Sequence, residues 1–373
     1  MDRARESEIR RDLEKKMVFL VGPRQTGKTW LASRIGESYP KSVYLNHDSG
    51  ADRRIIERGA WIPDADLVIL DEIHKMRGWK NHLKGIWDTR PTGQRFLITG
   101  SARLDTIRQT GDSMAGRFFR HRLLPFTPAE LVRLGESPSV DRLLERGGFP
   151  EPFLAEDSVE AGRWRTLYAD GLIQEDIVDF ERIANLRAMR LVLTMLRERV
   201  GSPVSFSSIA RDIGISPNTA AKYTAILESL FIVFLVTPHS RNIARSLLKE
   251  PKIYFFDTGF VKGDAGAVFE NLVALCLLKD VWARADLDGE ECELRYLRTK
   301  DGEEVDFCVI RNGEPELFIE VKLSDDAPGR TLRKFRERYG VRSIHLVKDL
   351  KNERTESGIE VRRAADWLAA LRE

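Results

Sequence analysis

The chain has few cysteines, no long apolar run and no surplus of charge. Its 373 residues include three cysteines that are scattered and form no CxxC pair, so neither a disulfide framework nor a zinc site is expected. No apolar run is long enough to span a membrane. The N-terminal stretch MDRARESEIRRDLEKK lacks the apolar segment of a secretory signal peptide. The sequence therefore predicts a cytoplasmic protein with no membrane contact.

The composition fits a soluble globular protein rather than a disordered one. Lys and Arg number 60 against 58 Asp and Glu, which gives a formal net charge of +2. Such a balance does not predict nucleic-acid binding, so any basic surface must be local. The hydrophobic fraction of 42% and the chain length together predict two or three domains, each with its own core.

The pattern of apolar runs predicts an α/β fold in four parts. Residues 1–137 alternate short apolar runs with helical patterns, which indicates a parallel sheet. Residues 138–189 have a helical pattern, and residues 190–249 have a pattern typical of a helix-turn-helix. Residues 250–373 combine a buried helix with strands separated by turns. In the first part, strands are predicted at 17–21, 42–46, 67–71, 95–99 and 119–124.

The stretch GPRQTGKT follows the first strand and satisfies the phosphate-loop pattern G-x-x-x-x-G-K-[ST]. Its glycines allow backbone amides to wrap a phosphate, and the following helix adds its N-terminal dipole. Lys28 can reach the β- and γ-phosphates of ATP, and the Thr29 hydroxyl can bind Mg²⁺. The alternative is a chance strand-turn-helix junction. The predicted ATP-binding residues are Gly22, Pro23, Arg24, Gln25, Thr26, Gly27, Lys28, Thr29 and Trp30.

A second motif, LVILDEIH, removes most of the doubt about this site. Asp71 ends an apolar strand whose carboxyl edge should lie beside the phosphate loop, where Mg²⁺ needs a carboxylate. Glu72 is then placed to orient or deprotonate the attacking water. In RFLITGSARL, Thr99, Gly100 and Ser101 end another strand, where a hydroxyl could sense the γ-phosphate.

These segments together resemble AAA+ ATPases, in particular a bacterial and archaeal group with a TGS strand, an AGR…PF…E element and a GGFPE segment. The resemblance implies a P-loop AAA+ core, a helical lid, a winged helix and a C-terminal nuclease-like domain. It also implies that Ser101 is the sensor 1 residue and that Arg117 is an arginine finger acting on a neighbouring subunit. A homo-oligomeric ring follows, with a hexamer favoured. Arg146 and Arg163 are the candidates for sensor 2.

The segment SPVSFSSIARDIGISPNTAAKYTAILESLFIVFLV predicts a winged helix. A helix over 207–213, a turn at Gly214 and a second helix capped by Ser216 would precede a wing strand over 231–236. The second helix offers side chains suited to DNA, namely Asn218, Thr219 and Lys222. A protein–protein module is the alternative. The basic stretch 240–249 would add to a DNA surface.

The C-terminal part contains a second chemical signature, EVDFCVI and LFIEVK joined by an RNGEPE turn. A hairpin would place Asp306 and Glu320 side by side with Lys322, and two close carboxylates favour Mg²⁺ or Mn²⁺. Glu270, on the helix FENLVALCLLK, could join this metal shell. The pattern resembles the PD-(D/E)XK nuclease core. The alternatives are an accidental charged hairpin and a nuclease fold that binds without cutting.

The sequence thus predicts an ATPase that uses ATP and Mg²⁺ to remodel or translocate DNA, with branched or junction DNA as a candidate substrate. A second Mg²⁺ or Mn²⁺ is expected in the nuclease-like domain. DNA backbone contacts are predicted from the helix GRTLRKFRER at Arg333, Lys334 and Arg336. The alternative function is an ATP-dependent signalling or defence switch whose C-terminal domain binds a partner protein.

Overall fold

The structure is a computed structural model that describes residues 3–100, 114–172, 185–239, 250–299, 301–324 and 327–373. The chain forms two structural units, Met1–Leu124 and Pro125–Glu373. Ser101 and the basic stretch 240–249 lie outside the described residues. No helix in the described ranges is long and apolar enough to cross a membrane.

The first unit is built on a parallel sheet, to which five strands contribute in its described part, in the order β2-β3-β4-β1-β5. The strands are β1 Met17–Val21, β2 Ser42–Asn46, β3 Leu67–Asp71, β4 Arg95–Thr99 and β5 Phe118–Arg122. The helices are α1 Glu6–Leu13, α2 Lys28–Gly36, α3 Gly50–Arg58 and α4 Trp79–Thr89. The predicted parallel sheet is confirmed, and four of the predicted strands have the predicted limits.

Both faces of this sheet are buried, which explains why its strands are continuous apolar runs. In β1, Phe19 packs into a cluster with Leu83 of α4, whereas Leu20 packs into a second cluster with Leu31 of α2. The side chains of successive residues therefore face different helical layers. The same arrangement brings the carboxyl ends of β1, β3 and β4 to one edge.

The second unit contains ten helices and eight strands in its described part. The helices are α5 Pro128–Arg133, α6 Val140–Arg146, α7 Pro150–Leu154, α8 Ser158–Gly171, α9 Leu186–Arg197, α10 Phe206–Ile213, α11 Pro217–Ser229, α12 Ala265–Ala283, α13 Arg330–Tyr339 and α14 Ala364–Ala369. The strands are β6 Val233–Pro238, β7 Lys252–Phe255, β8 Cys292–Arg298, β9 Glu304–Arg311, β10 Glu314–Ser324, β11 Arg342–Asp349, β12 Arg354–Glu356 and β13 Ile359–Arg363.

These strands form one mixed sheet with the order β12-β13-β11-β10-β9-β8-β6-β7. The predicted helix pair is present as α10 and α11, with Gly214 ending the first helix and Ser216 capping the second. The wing strand predicted at 231–236 overlaps β6, which pairs with β7 and with β8 in the large sheet.

The predicted hairpin is formed by β9 and β10, which turn through Asn312 and Gly313 at positive φ. The ladder ends with Phe307 opposite Ile319, so Asp306, which precedes Phe307, and Glu320, which follows Ile319, are the next residues at this end of the hairpin. In β9, Cys308 and Ile310 are buried in a cluster with Leu332 of α13, and the buried ring of Phe307 packs against Tyr254 of β7.

The second unit begins at Pro125, before the predicted boundary at residue 137, because a buried ion cluster holds α5 within it. The ammonium of Lys279 on α12 lies 2.6 Å from the Glu130 carboxylate and 2.5 Å from that of Glu373. Lys279 also donates to the carbonyl of Pro125. The predicted finer boundaries at 189 and 249 remain predictions.

The GGFPE segment also belongs to the interior of the second unit. Gly147 has φ +79°, and a Cβ at this position would overlap the carboxylate of Asp257. Asp257 is in turn paired with Arg165 of α8 at 3.4 Å. Phe149 packs against Trp164 of the same helix. The segment therefore joins the helical part to the strand-rich part within one unit.

The buried cluster generates a stability prediction. We expect Lys279→Met to destabilise the second unit by about 3–5 kcal/mol, because it leaves the Glu130 and Glu373 carboxylates buried without a cation. Denaturant unfolding measures this change. The matched control is Lys348→Met, since Lys348 pairs with the exposed Asp141 at 2.9 Å and should cost at most about 1 kcal/mol. Equal losses in the two variants would contradict the role assigned to Lys279.

Candidate functional site

The predicted phosphate loop connects β1 to α2 at the carboxyl edge of the first sheet. Gly27 precedes α2 with φ +86°, so the helix begins at Lys28. The Lys28 ammonium donates to the carbonyls of Gly22 at 3.0 Å and Pro23 at 2.5 Å. The Thr26 hydroxyl also donates to Pro23, at 2.9 Å. The loop is therefore folded on itself around the lysine that is predicted to bind phosphate.

Gly22 has a packing role in addition to the predicted one. Its φ is +147°, and a Cβ there would overlap the carbonyl oxygen of Leu123, which follows β5. The backbone of Leu123 donates to the carbonyl of Val21 at 2.8 Å. The first glycine of the motif is thus required for the close approach of two chain segments, whether or not a phosphate is bound.

Asp71 is at the centre of the predicted magnesium site. Its carboxylate accepts hydrogen bonds from the Thr29 hydroxyl at 3.0 Å, from the Tyr44 hydroxyl at 2.6 Å and from the Thr99 hydroxyl. Only 3% of the residue is exposed. Hydroxyl and carboxylate oxygens are the hard ligands that Mg²⁺ prefers. The donor set of Thr29 and Asp71 therefore fits Mg²⁺ bound together with a nucleotide.

Glu72 has an unusual backbone and a shifted pKa. It follows β3 with φ +56°, and its amide donates to the Thr99 carbonyl at 3.1 Å. Burial raises the pKa of its carboxyl group, and the nearby Asp71 raises it further, whereas Lys75 lowers it. The Lys75 ammonium lies 3.5 Å from Glu72 and 2.6 Å from Asp48. A carboxylate with a raised pKa is suited to accept a proton from water.

Arg117, the predicted finger, lies at the opposite edge of the sheet from the phosphate loop of its own chain. It precedes β5, and Phe118 pairs with Met17 at the start of β1. The length of β1 separates this edge from the loop by about 16 Å. Arg117 forms a bidentate pair with Asp88 of α4 at 2.9 and 3.2 Å. Its geometry therefore offers no contact with its own site.

Two residues near the loop were missed by the sequence analysis. Arg3 is 3% exposed, and its guanidinium donates to the carbonyl of Thr26 in the loop and to that of Leu124 at 2.5 Å. Tyr44 donates to Asp71, and burial together with this bond raises the pKa of its hydroxyl. Neither residue lies in a motif, and Arg3 is separated from its partners by 23 and 121 residues.

The remaining candidates of the first two motifs are placed as follows. Trp30 is 44% exposed on α2, and Gly100 directly follows β4. Arg122 is buried and pairs with Val21 just before the loop. For sensor 2, Arg146 donates to the carbonyls of Ala155 and Glu156 in the second unit, and Arg163 is exposed there.

A pocket of about 540 Å³ in the first unit lies away from the phosphate loop. Pro63 and Gln94 line it, and they precede β3 and β4, so the pocket opens at the amino edge of the parallel sheet. No predicted site residue lines it. The nucleotide site is therefore identified by its side-chain chemistry and not by the size of a cavity.

In the second unit, the two carboxylates of the predicted metal site have separate protein partners. Asp306 accepts a hydrogen bond from the Val321 amide at 2.8 Å. Glu320 accepts from the Gly329 amide at 2.9 Å and contacts Nδ1 of His345 at 3.0 Å. The Lys322 ammonium lies 4.0 Å from Glu320, and its side chain is 47% exposed.

A lysine that the sequence analysis missed lies among the remaining carboxylates. The ammonium of Lys252 on β7 is 2.6 Å from Glu304, 3.3 Å from Glu270 and 4.0 Å from Asp306. Its side chain is 1% exposed. Burial lowers the pKa of Lys252, but the three carboxylates raise it by more. For Asp306, burial and the nearby Glu270 raise the pKa to about 7.

This arrangement does not fit the predicted second Mg²⁺ or Mn²⁺. No group of three or more His, Cys, Asp or Glu is arranged to hold a metal ion in the part of the chain that the structure describes. Glu270 and Asp306 share Lys252, whereas Glu320 is bound to His345. The predicted metal shell of Glu270, Asp306 and Glu320 is therefore not assembled around a common centre.

The predicted DNA-contacting helix α13 has ion pairs with its own unit. Arg333 pairs with Glu356 at 2.8 Å, and Lys334 pairs with Glu303 at 2.7 Å. Arg336 packs against Gly358, where an added Cβ would overlap its guanidinium. These pairs reduce the positive potential that the helix offers to a phosphate backbone.

Comparison with protein families supports an AAA-type ATPase. Residues 14–132 match a family described as an AAA domain. Residues 137–265 and 265–366 match two domains of unknown function, DUF8612 and DUF4143. Residues 14–132, which include the phosphate loop, are therefore similar to an AAA-type ATPase domain.

The individual relatives and solved structures that we compared are less than 30% identical to the chain. The uncharacterized protein Rv2008c of Mycobacterium tuberculosis is 29% identical over 87% of this chain and 75% of its own length. The uncharacterized protein MJ1544 of Methanocaldococcus jannaschii is 22% identical over 92% of this chain and 82% of its own length. The Walker-type ATPase PABY2304 of Pyrococcus abyssi is 13% identical over 72% of this chain and 94% of that one, with a TM-score of 0.43. A RuvB variant of Thermotoga maritima is 17% identical over 66% of this chain and 94% of that one, with a TM-score of 0.31.

The contact between Arg3 and the loop generates a kinetic prediction. We expect Arg3→Met to raise KM for ATP about tenfold and to change kcat by less than about twofold, because the loop loses the buried charge-assisted hydrogen bond at Thr26 through which Arg3 ties it to Leu124. Steady-state ATPase kinetics measure both constants.

The control for this variant is Arg34→Met on α2, which removes only an exposed pair with Glu37 at 3.5 Å. Arg34→Met should leave both constants unchanged. A lower melting temperature of Arg3→Met with an unchanged KM would show that Arg3 serves stability alone, and the positioning role would be wrong.

Proposed function

We propose that the chain is an ATP hydrolase that works as an oligomer on DNA, with the phosphate loop of the first unit as its catalytic centre. The observation that carries the proposal is the convergence of Lys28, Thr29, Asp71 and Glu72 at one edge of the sheet. An ammonium, a hydroxyl and two carboxylates are the groups that phosphoryl transfer from ATP requires. The cytoplasm remains the predicted location.

Each of these side chains has a distinct proposed task. Lys28 exchanges its two carbonyl partners for the β- and γ-phosphate oxygens of ATP. Thr29 and Asp71 would hold Mg²⁺, which supplies positive charge to the phosphates when it is bound. Glu72 accepts a proton from the attacking water, as its raised pKa favours. Thr99 and Tyr44 keep the Asp71 carboxylate in place through their hydroxyl groups.

The proposed oligomer follows from the position of Arg117. This residue is remote from its own phosphate loop, so a finger role requires the ATP of a neighbouring subunit. Its pair with Asp88 has side chains that are 28% and 43% exposed, and exposed ion pairs are weak. The phosphates of a neighbouring ATP can therefore compete for the guanidinium. A ring of six subunits stays the favoured arrangement.

The distribution of charge identifies the unit that should contact DNA. Residues 1–124 contain 24 Lys and Arg against 16 Asp and Glu, a formal net charge of +8. Residues 125–373 contain 36 against 42, a formal net charge of −6. A polyanion is attracted to the first unit and repelled by the second. We therefore assign DNA contact chiefly to the first unit, and only local contacts to the helix pair α10 and α11.

A second candidate function is favoured by the acidic character of the second unit. In a nucleotide switch, ATP sets an assembly state while the second unit binds a partner protein with a basic surface. The internal ion pairs of Arg333 and Lys334 agree with this alternative. The two functions differ in turnover, because a motor on DNA hydrolyses ATP repeatedly and is stimulated by DNA, whereas a switch hydrolyses it slowly.

The test is an ATPase assay with no DNA and with single-stranded, duplex or four-way-junction DNA. We expect Lys28→Ala to abolish ATP binding, and Glu72→Gln to bind ATP while kcat falls at least about a hundredfold. The control is Glu37→Gln, an exposed acidic residue of the same unit, with normal turnover. Wild-type turnover by Glu72→Gln would refute the site, whereas slow turnover that no DNA changes would favour the switch.

The environment of Glu72 gives a pH prediction. Turnover needs the ionised carboxylate, so it should fall as the pH drops through the pKa of Glu72, which lies above the ordinary value of 4.5. Lys75 lowers that pKa. Lys75→Met should therefore move the acidic limb of the kcat–pH profile to higher pH. The control Lys84→Met, on α4, should leave the limb in place. A limb that moves to lower pH in Lys75→Met would contradict the assignment of the base.

A further inference from the structure

The carboxylate cluster of the second unit contains its own cation. Lys252 extends from β7 to three acidic side chains that come from two elements, Glu270 of α12 and Glu304 and Asp306 of β9. Its ammonium also lies 5.5 Å from the ring centre of Tyr296. A lysine that is almost fully buried must be compensated by negative charge, and here three carboxylates provide it.

Each carboxylate of this cluster also has a second protein partner. The Tyr254 hydroxyl donates to Glu270 at 2.6 Å. The Val321 amide donates to Asp306 at 2.8 Å, and the Arg298 guanidinium lies 3.7 Å from Glu304. One oxygen of each carboxylate therefore contacts a donor of the fold other than Lys252, namely Oε1 of Glu270, Oδ2 of Asp306 and Oε2 of Glu304.

A divalent ion would have to compete directly with Lys252. A Mg²⁺ or Mn²⁺ ion on Glu270 and Asp306 would lie within a few ångströms of the ammonium, and like charges repel strongly in a buried site. Lys252 therefore supplies one positive charge to the three carboxylates without a metal.

We propose that Lys252 is the resident cation of the second unit and takes the place of the divalent metal that the carboxylate pattern of this sheet would otherwise bind. The second unit then cannot activate water through a metal at Asp306, so its sheet serves recognition and not phosphodiester cleavage. This inference concerns the second unit alone and does not depend on ATP hydrolysis. The proposed function can therefore be refuted while this inference still holds.

The experiment is an Mn²⁺ titration of the full chain without nucleotide, followed by electron paramagnetic resonance of free Mn²⁺. All proteins carry Asp71→Asn, which removes the carboxylate of the phosphate-loop site. The parent should show no saturable Mn²⁺ site that depends on Asp306. Adding Lys252→Met should create one such site, with an affinity at least about tenfold above any residual Mn²⁺ binding by the parent, because a positive charge has left the centre of three carboxylates.

Two matched variants complete the design. Lys348→Met removes a lysine of a peripheral ion pair and should create no site, and Asp306→Asn should abolish the site gained by Lys252→Met. A parent that binds one Mn²⁺ and loses it in Asp306→Asn would overturn the proposal. So would a folded Lys252→Met that gains no affinity. If Lys252→Met does not fold, as circular dichroism would show, the parent titration with and without Asp306→Asn decides alone.

Discussion

The carboxylate of Asp71 is the interaction on which the first unit depends. It is almost fully buried, and a buried carboxylate is costly unless hydrogen bonds replace its water. Three hydroxyl groups do so, from Thr29 of α2, Tyr44 of β2 and Thr99 of β4. These neutral donors link the helix after the phosphate loop to the strands on both sides of β3. The same donors leave the negative charge uncompensated, which is what an incoming Mg²⁺ needs.

The second unit solves the same electrostatic problem in a different way. Its acidic cluster holds a lysine of the fold, Lys252, and the buried Glu130 of α5 is paired with Lys279. A buried carboxylate that is not paired with a cation of the protein can bind a diffusible cation. A cluster that already contains an ammonium group disfavours such binding. This contrast separates a unit suited to metal-assisted chemistry from one suited to recognition. The opposite net charges of the two units point in the same direction.

Much of the first unit could be predicted because short stretches of the sequence specify its strands and its phosphate loop. Buried parallel strands are short apolar runs between turn signals, and the predicted limits of β1, β2, β3 and β4 agree with the structure. The phosphate loop and the carboxylates after β3 also lie within short motifs. Their geometry needs only the rule that parallel strands share a carboxyl edge. The roles of Lys28, Asp71 and Glu72 in catalysis remain predictions.

Contacts between distant residues could not be predicted in this way. Arg3 reaches a carbonyl 121 residues away, and Lys279 reaches a carboxylate 149 residues away. Lys252 lies in an apolar stretch, PKIYFF, where nothing in the sequence indicates that its ammonium meets Glu270 and Asp306. The second metal ion stays a prediction without support, since spacing along two strands indicates which carboxylates are close but not which cation pairs with them.

The central claim is that Asp71 provides the magnesium-dependent part of nucleotide binding. Calorimetric titration of the full chain with ATP, in the presence of Mg²⁺ and in the presence of a chelator, tests it directly when wild type and Asp71→Asn are compared. The account predicts that Mg²⁺ strengthens ATP binding to the wild type and that this gain is lost in Asp71→Asn, while binding in the chelator is similar for both. An Asp71→Asn protein that keeps the full gain from Mg²⁺ would contradict it.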